Sequence, residues 1–83
     1  MIVSLKVYIA ARETANDTVA EGWPDGRPFE SAYQSALEAA SNAAFDELRE
    51  NGMTEEDARV VVMEIEPELR EVAREAAEVA LEA

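Results

Sequence analysis

Two prolines and two glycines fall within the seven residues Gly22-Trp23-Pro24-Asp25-Gly26-Arg27-Pro28. No regular element runs through such a stretch, because proline lacks a backbone donor and fixes φ while glycine gains nothing from being held in place. Pro-Asp-Gly also favours a tight turn. The chain is thus divided into a short N-terminal piece and a longer C-terminal piece. At 83 residues it is too short for two independent cores, so residues 1–83 are read as one domain.

Before the break, residues 2–10 alternate in the manner of a strand. Val3, Leu5, Val7 and Ile9 point one way, and Ser4, Lys6, Tyr8 and Ala10 the other. Asn16-Asp17 is turn chemistry, and Thr18 to Trp23 reads as a short returning strand. After the break, Phe29, Tyr33, Ala36, Leu37, Ala40, Ala44 and Leu48 recur by threes and fours, which predicts a helix over 29–51 with Gly52 as its stop. Thr54-Glu55-Glu56-Asp57 has the form of a capping box opening a single turn. Three consecutive valines then predict a second strand over 59–66. Pro67 suits the first position of a closing helix that buries Leu69, Val72, Ala73, Ala76, Val79 and Ala80. The expected fold is α+β: a two-layer α/β sandwich in β(β)αβα order, with a small sheet, two helices on one face and a ferredoxin-like character. The open sheet face would carry Tyr8, Val60 and Val62, and a homodimer is expected to cover it.

The charge excludes more functions than it suggests. Nineteen acidic residues stand against seven basic ones, a net charge of -12, and there is no histidine or cysteine. The usual general base at neutral pH, the thiolate nucleophile and the soft metal ligands are therefore missing. Direct binding to nucleic acid or to an anionic membrane would work against the charge. No apolar run approaches the roughly 18 residues of a membrane span. Residues 1–11 lack the basic start of a secretory leader and carry Lys6 within their apolar stretch, so a cytoplasmic location is expected.

One extended charge feature remains. Glu68, Glu71, Glu75, Glu78 and Glu82 share a ridge of the closing helix. Such a ridge usually serves as a solvated face, and Arg70 and Arg74 lie at pairing distance along it. The functional reading is a ladder of carboxylates facing a basic groove. Trp23 and Phe45 are candidate apolar anchors beside it, since Trp23 sits in the break and Phe45 lies off the stripe of its helix. The acids around Glu55 and Glu64 lack the alternating pattern of a calcium loop, and neither a metal nor a cofactor is expected. No pair of carboxylates is singled out for acid–base catalysis, so the chain is not expected to be an enzyme.

The sequence is accordingly read as a small acidic protein-interaction module. The expected role is that of a phage- or plasmid-borne inhibitor presenting its Glu ridge to a basic surface of a nucleic-acid-processing enzyme. The alternatives are a designed or purely structural scaffold without activity, and a dimer that binds a small ligand between its subunits.

Overall fold

The computed structural model describes residues 5–22 and 29–82, and it is helical almost throughout them. Four helices follow in order: α1 (Leu5–Gly22), α2 (Phe29–Glu50), α3 (Glu55–Glu64) and α4 (Glu66–Glu82). The first, second and fourth pack against one another, while the short α3 lies mainly against α2. The expected α/β sandwich is thereby corrected: no strand or sheet occurs among the described residues. The break at Trp23 to Pro28 lies outside them.

Alanine holds this bundle together. On α2 the buried residues are Ala32, Ala36, Ala40, Ala44 and Leu48, and on α1 they are Val7, Ala11, Ala15 and Val19. Both sets recur every fourth residue. A four-residue step advances about 40° beyond a full turn, so the buried line winds about 160° around α2 from Ala32 to Leu48. That winding lets one helix meet both α1 and α4. Because each alanine projects a single methyl, helix axes can approach toward the short end of the usual range of about 8–10 Å. From α4 come Leu69, Val72, Ala73, Ala76 and Ala77, and α3 adds Ala58 and Val61, with Ile65 at the junction. Among the described residues, ten of the seventeen buried side chains are alanines and none of the buried ones is polar or charged.

This seam explains why residues 5–10 of the segment read as the N-terminal strand are helical; residues 2–4 lie outside the described residues. The alternation over 2–10 puts Leu5, Val7 and Ile9 on one buried face. In the structure only Val7 is buried, whereas Leu5 is 71% exposed and Ile9 47% exposed. Tertiary packing of the four-residue repeat overrides the turn chemistry of Asn16-Asp17, which lies inside α1. The returning strand is likewise corrected, since residues 18–22 complete the same helix.

The middle of the chain follows its local signals more closely. Gly52 has φ +93° and ends α2 in a Schellman motif, where its N–H donates to the Arg49 carbonyl at 3.0 Å and the Met53 N–H donates to Leu48 at 3.2 Å. Met53 then packs against the core. Thr54 caps α3, its hydroxyl accepting from the Asp57 N–H at 3.2 Å. That cap opens a helix of 10 residues in place of the single turn and following strand read from the sequence.

The valine run shows why a strand does not form. Successive helical residues are about 100° apart, so a helix cannot bury three in a row. Val61 is buried, Val62 is half-buried and Val60 is 47% exposed. Pro67 separates α3 from α4, because it cannot donate to the carbonyl four residues back and its ring would clash there. It occupies the second position of α4, one later than expected. The buried face of α4 includes Leu69, Val72, Ala73 and Ala76 as anticipated, but Val79 is exposed, and the side chain of Ala80 lies outside the described residues.

Two predictions follow from the seam and its cap. Ala40→Leu should destabilise the protein by about 1–3 kcal/mol through overpacking, lowering the melting temperature by about 4–8 °C per kcal/mol. Gln34→Leu on the exposed side of α2 should stay within about 0.5 kcal/mol. Gly52→Ala should cost about 1–2 kcal/mol from the left-handed backbone alone, since a methyl there meets nothing within 4 Å. Denaturant melts of the three variants measure both effects.

Candidate interaction site

Six of the residues singled out in the sequence, Tyr8, Glu68, Glu71, Glu75, Phe45 and Val62, fall into two grooves. The first lies between α1 and α4 and is lined by Tyr8, Arg12, Glu68, Glu71, Val72 and Glu75, with a volume of about 320 Å³. Tyr8 and Arg12 line it from α1, and Arg12 reaches Glu75 at 3.8 Å. Glu68, Glu71, Glu75 and Glu78 are all exposed on α4. Glu82 belongs to the same helix, but its side chain, like Trp23, lies outside the described residues.

The ridge is also partly countered. Arg74 is paired with Glu71 and lies 4.0 Å from Glu78. Arg70 turns away to Glu66, donating from Nη2 at 2.7 Å and from Nε at 3.2 Å. Each such exposed pair contributes only about 0–1 kcal/mol to stability and weakens with salt. Their larger effect is on the field, because Arg12 and Arg74 stand among the carboxylates that an unbroken anionic ladder would keep clear.

The second groove lies between α2 and α3. Ser41, Asn42, Phe45, Glu55, Arg59, Val62 and Met63 line a space of about 500 Å³. Phe45 is half-buried against the core, which accounts for its position off the main stripe of α2. The groove it lines is completed from α3 by Glu55, Arg59, Val62 and Met63. Beyond Met63 the surface continues into a second hollow of about 480 Å³, lined by Glu55, Glu56, Arg59, Val60 and Met63. Arg59 crosses this boundary with its Nη2 donating to Glu55 Oε1 at 2.6 Å.

The sheet-face assignment of Tyr8, Val60 and Val62 is corrected by this geometry. Tyr8 belongs to the α1–α4 groove, Val62 to the α2–α3 groove and Val60 to the hollow beside it. The sheet on which the homodimer expectation rested is therefore missing among the described residues. Sequence reasoning passed over Met63 as a surface residue, although it is 73% exposed. The signal was available: Val60, Val61, Val62 and Met63 are four consecutive apolar residues, more than one helical face can bury.

No three acidic side chains converge as a cation site among the described residues, and no described helix is long and apolar enough to cross a membrane. Compared with known protein families, curated proteins and solved structures, the chain matches none.

Proposed function

We propose that this chain is a small acidic interaction module that engages a basic protein surface. The observation that carries this reading is the placement of its charge. Among the described residues the buried core holds no charged group, so their share of the net charge of -12 is displayed on the outside of the helical bundle. Along α4, residues three or four apart rise by about 4.5–6 Å, which sets Glu68, Glu71, Glu75 and Glu78 as a row of carboxylates on one element.

Such a surface raises the rate of encounter with a basic partner and repels acidic competitors. A nucleic-acid-processing enzyme is the partner class this charge fits, because its working surface is itself basic. Arg12 and Arg74 refine the picture. A basic partner must either displace these arginines from their carboxylates or pass beside them, which favours a partner with separated cations over a continuous basic track.

The test is affinity capture from bacterial lysates with the wild type and with Glu68→Gln/Glu75→Gln/Glu78→Gln, each checked for helicity by circular dichroism. The wild type should retain a basic nucleic-acid-processing protein at low salt. It should release that protein at about 1 M salt, where the Debye length falls to about 3 Å. The triple variant should retain much less. Equal capture by both proteins, or none at any salt, contradicts the reading.

A further inference from the structure

We infer that the α2–α3 groove and the hollow beside it form a docking surface for an amphipathic, basic helix of the partner protein. This rests on the reading that the partner is basic, and adds the element it presents and where that element binds.

The surface is built from surplus apolar residues. A helix of 10 residues needs only one buried stripe, and α3 buries Ala58 and Val61. Its remaining apolar residues continue around it: Val62 in the groove with Phe45, Met63 at the lip, and Val60 on the outer side. Together they form an apolar ribbon from α2 across α3. The space along it, about 500 Å³ in the groove and about 480 Å³ in the hollow, accepts a few large side chains. Anchors at helical three- and four-residue spacing fit two such neighbouring depressions. Met63 suits the task, since its unbranched side chain adapts to differently shaped apolar surfaces.

Charge selects the occupant. The helix α3 carries Glu55, Glu56, Asp57 and Glu64 against the single Arg59, and Arg59 is already held by Glu55. The apolar residues are thus interrupted by the Arg59–Glu55 pair and by Glu56, and the surface as a whole is acidic, the complement of a helix with one apolar face and lysines or arginines flanking it. A second copy of this chain is a poor occupant by the same argument. It would bring another net charge of -12 and another acidic margin against this one.

The decisive experiment uses the full chain and two fluorescein-labelled 14-residue peptides of identical Leu/Lys composition. One has leucines at three- and four-residue spacing, and the other is scrambled to destroy the helical face. Fluorescence anisotropy should show at least about tenfold tighter binding of the periodic peptide, a difference of about 1.4 kcal/mol. Met63→Glu and Val60→Glu alter exposed positions and add negative charge. A partner held by charge alone would bind these variants more tightly; an apolar docking surface predicts at least tenfold weaker binding.

Equal affinity for the two peptides, or tighter binding by both Glu variants, overturns the groove. If binding is instead lost only in the α4 triple-Gln variant, the acidic-module reading survives without it. No binding of either peptide counts against both readings. A homodimer in sedimentation that Met63→Glu dissociates assigns the surface to a second copy and overturns the peptide-helix proposal.

Discussion

The rest of the molecule depends on the close approach of α1, α2 and α4 along their alanines. Ala11 and Ala15 on α1, Ala32, Ala36, Ala40 and Ala44 on α2, and Ala73, Ala76 and Ala77 on α4 are all buried. Alanine has the best helix propensity and loses no side-chain entropy on burial. It also brings little apolar area, so each contact is individually weak. The fold compensates with length and regularity: three long helices hold a narrow seam, and a few larger side chains, Val7, Val19, Val61 and Leu69, fill the space between them. A seam of this kind tolerates extra volume poorly, because backbone lies directly behind each methyl.

The same economy leaves apolar residues unused. With the core satisfied by small side chains, Leu5, Ile9, Val60 and Met63 remain exposed. On α1 nothing in the structure marks what would cover Leu5 and Ile9. On α3 the exposed pair continues into the groove beside Phe45 and stands within an acidic margin. That combination distinguishes a docking surface from scattered surface residues, which are ordinary in small proteins. Function in this reading divides between the two grooves, with the carboxylates of α4 steering a basic partner and the α3 ribbon holding it.

Local signals in the sequence were legible where a single residue's chemistry decides the backbone. Gly52 stops α2, Thr54 caps α3 and Pro67 separates α3 from α4. The α2 helix was legible as well, because Ala36, Ala40, Ala44 and Leu48 lie on one stripe with larger neighbours such as Leu37. Two of the three segments misread as strands share a cause. In residues 5–10 and 59–65 the large apolar residues follow an alternating or continuous pattern, and the helical stripe is carried by weak markers such as Ala11, Ala15 and Ala58. Weighting by size favoured Leu5, Ile9 and the valines over the alanines that in fact contact the core. For the site, the position of the Glu ridge was readable from spacing alone. The arginine that reaches it from α1, Arg12, was not, since that contact exists only once α1 is a helix lying beside α4.

Both the bundle and its docking surface require Val60-Val61-Val62-Met63 to be helical, which buries Val61 and turns Val60 and Met63 outward. The most direct measurement is the set of 13Cα and 13Cβ NMR chemical shifts for residues 55–65 in the intact chain. Positive 13Cα and negative 13Cβ secondary shifts, continuous from Glu55 to Glu64, are the predicted result. The opposite signs over Arg59 to Ile65 would indicate a strand, and would remove both the helical bundle described here and the docking surface derived from it.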